Sequence, residues 1–340
     1  MPTTTSYPAA QSSFSIDLVG ARFFDGAGVF GGTVRRYRPS PRPERRSVPG
    51  MSTVSVVTGA NSGIGRAIAI HLATQGHEVF GTVRDPDRAG KLLSMAADAG
   101  VEVSLVRLDI ADDDSVANGF AEIGERAGRV DVLVNNAGVG GNGVVEECSP
   151  TTFLDVMNVD LCGAVRCIQA VLPQMRERRS GCIVNISSVA GRIASLAQAP
   201  YSAAKWALES VSEELAQEVA PFGIRVAIIE PGVTRSAIFA KNIDTPNRTD
   251  AYDAQYRRMF QFYAAGIPNA TDPLEVARVV HHAITTDSPE LRYPISWGAG
   301  ELVSGRARMS DEQWVELGRH EDDADYYAAF GAAFGLDIAP

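Results

Sequence analysis

From residue 51 onward, apolar positions along the chain alternate between two periods. Short runs that are apolar on nearly every position predict strands at Thr53–Thr58 (TVSVVT), Glu78–Val83, Val103–Leu108, Val130–Val134, Cys182–Ile186, Arg225–Ile229 and Leu291–Ile295. Between them, apolar residues recur at helical spacing over Gly63–Gln75, Pro86–Ala99, Asp113–Ala127, a long stretch from Thr152 to Arg178, Ala203–Ala220 and Pro273–Thr286. The acids that open Asp113–Ala127 suit a helix N-terminus. Strands apolar on both faces belong in a parallel sheet covered by helices on both sides. Right-handed crossovers then wind it in both directions. The expected class is α/β, a doubly wound parallel sheet of about seven strands in a single domain over residues 51–300.

Residues 1–50 break this pattern. They are rich in Ser, Thr, Gly, Pro and Arg, and Arg35–Gly50 (RRYRPSPRPERRSVPG) combines prolines with repelling charges, so a disordered segment is expected. Three origins compete: a leader upstream of a true start at Met51, an organelle-targeting segment, or a basic arm for a partner. The first is preferred, because Met51 directly precedes the first strand.

Charge sharpens the division. Seven arginines against three acids give residues 1–50 a charge of +4, whereas the chain as a whole carries −10, leaving −14 on the remainder. So acidic a body is ill suited to nucleic acid. No uncharged apolar run of about 18 residues appears, so no membrane span is expected. Cys148, Cys162, Cys167 and Cys182 form no CxxC pair and no zinc-finger spacing. Free thiols and a cytoplasmic location follow, with metal binding a lesser alternative and no metal assigned.

Chemistry first enters at the turn after the first strand. Thr58–Gly65 reads TGANSGIG, with glycines at 59, 63 and 65 between a strand and a helix. Glycine lets the backbone turn tightly and approach a pyrophosphate, and the free N–H groups of the helix start face the anion. Asn61, Ser62 and Ile64 complete the loop. The dinucleotide is selected near the end of the second strand, where an acid meets ribose hydroxyls and a cation meets a 2′-phosphate. Val83 stands where that acid would be and Arg84 follows, favouring NADP(H) over NAD(H). The bland alternative is a solvated Arg84 paired with Asp85.

A second constellation lies beyond the fifth strand. Tyr201 and Lys205 are four residues apart and share a helix face. An ammonium near a phenol favours phenolate, lowers its pKa and suits it to proton transfer. Ser188 ends the fifth strand at the carboxyl edge, where open α/β sheets bind ligands, with its hydroxyl available to a substrate oxygen.

Taken together, TGANSGIG (58–65), Asp109, NNAG (135–138), SSVAG (187–191), YSAAK (201–205) and PG (231–232) resemble the short-chain dehydrogenase/reductase family in order and spacing. The resemblance covers about residues 52–300. It implies a Rossmann-like fold and an oxidoreductase acting on CH–OH groups, with Ser188, Tyr201 and Lys205 catalytic. It further implies adenine contact by Asp109 with Ile110 beside it, and Asn136, Ala137 and Gly138 along the adenosine ribose. Lys205 would reach the nicotinamide ribose, Pro231 and Gly232 would shape the nicotinamide pocket, and Ser236 would stand where the family has a carboxamide-binding threonine.

One position departs from the family. Its relay asparagine, three residues before a glycine, is Asp160 here (Asp160-Leu-Cys-Gly163), while Asn158 lies about 200° round the helix. Aspartate can hold the same water while raising the lysine pKa. It is assigned as a candidate relay residue.

Residues 237–272, with Phe239, Tyr252, Tyr256, Met259, Phe260, Phe262 and Tyr263, form an excursion of the kind that covers substrate in this family. It is either a packed lid face or an apolar pocket for a greasy alcohol or ketone. Residues 158–240 resemble the hydroxysteroid and retinol dehydrogenase branch. The acidic, aromatic tail from Ser310, within a C-terminal extension over 301–340, packs on the domain or on a neighbour. Family habit implies a homodimer or homotetramer through the Thr152–Arg178 and Ala203–Ala220 helices. An alternative function is a dinucleotide-binding regulator of the same fold with weak turnover.

Overall fold

A computed structural model of the chain describes residues 52–194, 196–236 and 245–340. The expected leader over 1–50, Phe239 and the first part of the lid lie outside the described residues. Seven parallel strands run β1 (Val54–Val57), β2 (Glu78–Val83), β3 (Ser104–Arg107), β4 (Val132–Asn135), β5 (Gly181–Ile186), β6 (Ile224–Pro231) and β7 (Arg292–Ile295), in the spatial order β3-β2-β1-β4-β5-β6-β7. The order reverses between β1 and β4, which opens a crevice at their carboxyl ends.

Both faces of the sheet are covered. Helices α1 (Gly63–Thr74) and α2 (Gly90–Asp98), together with the later helix Pro273–Thr285, pack one face around Val57, Leu72, Val132, Val184 and Ile229. On the other, α3 (Asp113–Ala127), α5 (Gly163–Arg178) and α6 (Ala199–Val219) pack around Phe80, Leu133, Cys167, Ile183 and Leu215. Val56 and Val57 point to opposite faces and both are buried, which is why the strand reads as continuously apolar. All four cysteines are free.

Three departures from the sequence reading have local causes. The second helix begins as a 3₁₀ turn, Pro86–Arg88, capped by Asp85 onto the Asp87 N–H, before α2 starts at Gly90. The α6 helix starts at Ala199, four residues earlier than its apolar periodicity indicates, because Pro200 fits a first turn. The long helix is interrupted: α4 (Pro150–Met157) passes into a π-helical turn, Asn158–Cys162, before α5. An extra residue in one turn re-aims the side chains that follow.

The composite rod Pro150–Arg178 is long and apolar enough to cross a membrane by length and composition, although Asp155, Asp160 and Arg166 break it so that it holds no uncharged apolar run of about 18 residues. Its apolar side is occupied by the sheet, through Cys167, Ile168, Val171 and Met175.

Beyond β6, α7 (Asp253–Gly266) lies in the segment expected to form a lid, α8 (Pro273–Thr285) returns to the sheet, and α9 (Ala299–Arg308), α10 (Asp311–Leu317) and α11 (Asp323–Phe334) form the tail. The tail packs on its own domain: Phe330, Phe334, Leu336 and Ile338 cluster with Val189, Ile193 and Leu302. The nearly buried Arg258 of α7 pairs with Asp323 at 2.8 Å and stacks on Tyr326 at 4.4 Å, pinning lid to tail.

Beneath β1, at the edge away from the crevice, His77 shares a hydrogen bond with Ser55 at 2.7 Å and faces His281 at 5.9 Å between ring centres. Burial, then His281, pulls its pKa down from the ordinary 6.5 to about 4, with His71 adding to the depression and Asp131 opposing it. A base depressed in the folded state takes up protons on unfolding, so its contribution is full above pH 6.5 and is lost as pH falls toward 4. The urea midpoint should therefore fall between about pH 6.5 and about pH 4.5, and His77→Gln should flatten that slope; an unchanged slope would remove His77 as its source.

Candidate active site

The phosphate loop is built from strain and close approach. Gly59 and Gly63 sit at φ +66° and +54°, conformations open to glycine. A Cβ on Gly65 would lie 2.5 Å from the Gly59 carbonyl and against Asn136 Nδ2. The N-cap Ser62 makes no side-chain capping bond and the first turn of α1 carries no acid, so its leading N–H groups are left for an outside anion. That cradle fits a pyrophosphate.

Thr58, which motif spacing did not single out, ties the loop to the next strand. Its hydroxyl accepts from the N–H groups of Asn136 and Ala137 at 2.9 and 3.0 Å, while Asn136 Nδ2 donates to the Thr58 carbonyl at 2.9 Å. Gly138 lies so close to Asp160 that a Cβ there would stand 3.0 Å from Oδ2. The NNAG segment thus joins the phosphate loop to the π turn.

At the adenosine end, the Ala60 N–H donates to the Thr82 carbonyl, which sets the tip of β2 beside the loop. Arg84 projects there, exposed and without an ion pair among the described residues; Asp85 pairs with Arg88 at 3.9 Å instead. The Asp109 carboxylate accepts from the Ala111 N–H at 3.0 Å. The Ile110 side chain is buried against Gly163, so only its backbone is left to face the cleft. At the other end Ser236 lies against Gly63, and Gly232 lies against the Trp297 carbonyl and donates its N–H to Ile295 at 2.8 Å.

Ser188, Tyr201, Lys205 and Asp160 converge. Lys205 is 5% exposed; its Nζ donates to the Ile186 carbonyl at 3.3 Å and pairs with Asp160 Oδ2 at 3.0 Å. It sits 5.6 Å from the centre of the Tyr201 ring. Asp160, 2% exposed, also accepts the Val139 N–H at 2.7 Å. Asn158 faces away, bonded to Ala111 and Arg166. The Ser188 hydroxyl donates to the Pro231 carbonyl at 3.5 Å, accepts the Ala190 N–H at 3.1 Å, and acts on the Tyr201 phenol to lower its pKa.

The electrostatics correct one expectation. Lys205 does push the Tyr201 pKa down, and so does the Ser188 hydrogen bond, but burial and the Asp160 charge outweigh them and the net shift is upward. Burial alone would pull Lys205 down; Asp160, Tyr201 and Glu209 reverse this and raise it, the direction expected from the aspartate. The result is a protonated phenol beside a firmly charged ammonium.

Spacing also missed a second polar layer. At the carboxyl ends of β4 and β5, Asn135 donates to Asn185 at 2.9 Å and Asn185 to Ser212 at 2.8 Å. Glu147, 3% exposed, accepts from Tyr256 at 2.7 Å and from the Arg248 and Thr249 N–H groups, fastening the lid to the loop after β4. Polar residues inside the apolar runs were the available signal for the first; nothing local marks the second.

A dinucleotide cradle and a phenol beside a buried ammonium at one sheet edge define a Rossmann-type oxidoreductase. The family model for short chain dehydrogenases matches residues 53–247. The chain is 37% identical over 300 residues to estradiol 17-beta-dehydrogenase 1 of Rattus norvegicus, covering 85% of this chain and 87% of the relative. A short-chain dehydrogenase from Streptomyces avermitilis superposes with a TM-score of 0.70 at 36% identity, over 81% of this chain and 100% of the other. A variant of actinorhodin polyketide ketoreductase crystallised with NADPH gives 0.65 at 32%, over 73% and 97%. The chain belongs to the short-chain dehydrogenase/reductase family, whose members act on hydroxyl and keto groups.

Gly65→Ala drives a methyl group into Asn136 and the Gly59 carbonyl, so NADPH affinity, read by cofactor fluorescence, should fall at least about tenfold. Unchanged affinity would contradict the cradle.

Proposed function

We propose that the protein is an NADP(H)-dependent carbonyl reductase or alcohol dehydrogenase for an apolar alcohol or ketone, with Tyr201 as the proton-transfer residue. The observation that carries this reading is the convergence of Ser188, Tyr201, Lys205 and Asp160 beside an anion-ready glycine loop. When bound, the nicotinamide cofactor supplies the hydride, or takes it in the reverse direction. The glycine loop and the α1 N-terminus would hold its pyrophosphate, Asp109 and the NNAG backbone its adenosine, and Arg84 its 2′-phosphate. Pro231, Gly232 and Ser236 would border the nicotinamide, and Lys205 would hold the adjoining ribose.

Tyr201, kept protonated by burial, gives its proton to the carbonyl oxygen as the new C–H bond forms. Ser188 holds the same oxygen, and the Lys205 ammonium, fixed by Asp160, stabilises the phenolate that remains. In alcohol oxidation the proton moves the other way. Asp160, which holds Lys205 through Oδ2 and the Val139 N–H through Oδ1, is the candidate relay residue beyond Lys205. A homodimer or homotetramer on α4, α5 and α6 would cover Leu154 and Trp206, which are 66% and 49% exposed.

NADPH oxidation against a panel of apolar ketones tests the reading; binding without turnover on any carbonyl would favour the regulatory alternative. Arg84→Glu should weaken NADPH relative to NADH by about ten- to a hundredfold, the value of a charge-assisted hydrogen bond. An unchanged ratio removes Arg84 from the 2′-phosphate. Asp160→Asn should keep turnover within about tenfold, as in a family that uses asparagine, while lowering the Lys205 pKa and moving the alkaline limb of the pH profile to lower pH. A loss above about a hundredfold would contradict the relay assignment.

A further inference from the structure

We propose that Glu209 is a positioning residue for the reaction: with Arg192, Glu230 and Arg292 it forms a chain of charges, anchored on two buried carboxylates, that sets the Ser188 turn, the Pro231 corner and Lys205 relative to one another. This rests on the reading of Ser188, Tyr201 and Lys205 as the catalytic groups and adds a residue that acts through them.

The four charges belong to four segments, three of which carry a residue of the site. Glu209 lies on α6, one helical turn after Lys205 and two after Tyr201, on the face those two share. Glu230 stands in β6 immediately before Pro231. Arg192 closes the short turn Val189–Gly191 that follows Ser188, and Arg292 opens β7. Arg292 Nε donates to Glu209 Oε2 at 3.0 Å and lies 3.5 Å from Glu230 Oε1, which accepts from Arg192 Nη1 at 3.1 Å. Arg292 also holds Glu213, a further turn along α6, at 3.0 Å. Glu209 and Glu230 are 4% and 1% exposed.

Close packing joins this chain of charges to the site itself. A Cβ on Gly191 would stand 2.8 Å from Ser187 Oγ, 2.9 Å from Glu209 Cγ and 3.0 Å from the Lys205 carbonyl. The turn behind Ser188 therefore rests on the stem of Glu209 and on the backbone of Lys205, an approach that a bare glycine permits. Glu209 Oε1 is buried and has no hydrogen-bond partner among the described residues. Burial pulls the Lys205 pKa down, while Asp160, Tyr201 and then Glu209 raise it. Glu230 is pushed up by burial and by Glu209, with Arg192 and Arg292 opposing. Asp160 thus acts on the ammonium at contact distance and Glu209 from one turn away.

A brace for stability alone is a poor use of two buried carboxylates. Replacing such ionic groups by apolar residues of similar volume is often neutral or stabilising. What the chain of charges supplies instead is register. The segments bearing Ser188, Pro231 and Lys205 cannot slide past one another without breaking an ion pair or the Gly191 contact, and a broken pair leaves a buried charge uncompensated. Small displacements of catalytic groups are costly to rate, so a fixed register has a direct catalytic use.

The test is steady-state NADPH-dependent reduction by the full-length protein as a function of pH, with whichever of butyrophenone, cyclohexanone and 2-tetralone the wild type reduces fastest. Glu209→Gln keeps the size of the side chain and removes its charge. Its kcat should fall about tenfold while both KM values stay within about threefold. The alkaline limb of its kcat profile should move to lower pH by at least about half a unit, because the Lys205 ammonium loses a nearby anion. Glu209→Asp, which keeps the charge, should leave that limb within about 0.2 of its wild-type pH. Thermal melts report the folding of both variants. An unmoved kcat and limb in Glu209→Gln overturn the positioning role, whether or not the melting temperature falls. A limb that moves equally in both variants overturns it too, as does failure of both to fold, which makes Glu209 a structural residue. A wild type that reduces none of the three ketones, or a Tyr201→Phe variant as active as wild type, overturns the underlying reading and the positioning role with it.

Discussion

Everything chemical in this protein depends on one constraint: β1 and β4 are neighbours, yet the chain winds away from them in opposite directions. Loops leaving their carboxyl ends must part, and the gap is where side chains from distant segments meet. Thr58 bridges that gap with hydrogen bonds to Asn136 and Ala137. Gly138 then lets the π turn come close enough for Asp160 to reach Lys205. A slip in this stack would move the glycine loop, the ion pair and the phenol together.

The ion pair is the costliest part of the arrangement. Two charges so nearly free of solvent lose most of their hydration, and attraction offsets this only when other bonds satisfy what is left. Here the Ile186 carbonyl and the Val139 N–H do so. A buried pair of this kind is weak evidence for stability. Its placement against Tyr201 makes better sense as a way to keep the ammonium charged across a wide pH range. Burial and Asp160 outweigh Lys205 and Ser188 on the phenol, so its pKa is raised.

Much of this was legible in the sequence, for identifiable reasons. The bounds of α3 could be read to the residue because Asp112 caps its start and Gly128 ends it in the left-handed region. Strand β2 was equally clear because it is apolar on both faces. The glycine loop, Ser188, Tyr201 and Lys205 lie in short motifs whose order carries meaning. Other features were hidden. A π turn has the same apolar pattern as the helix around it, so the aim of Asp160 could be inferred only from a family position. The positive φ of Ala197 accompanies its stitching to Gly143, a contact between residues more than fifty positions apart. The net direction of the Tyr201 shift depends on burial, which spacing does not report.

Label transfer tests the role of Tyr201 most directly. Wild type and Tyr201→Phe are each incubated with NADPH deuterated at the transferable C4 position and an accepted ketone, with cofactor binding followed by fluorescence. Wild type should deliver one deuterium to the carbinol carbon, while Tyr201→Phe should bind NADPH with similar affinity and slow the transfer by about a hundredfold or more. Equal transfer by both proteins would contradict the central role of Tyr201.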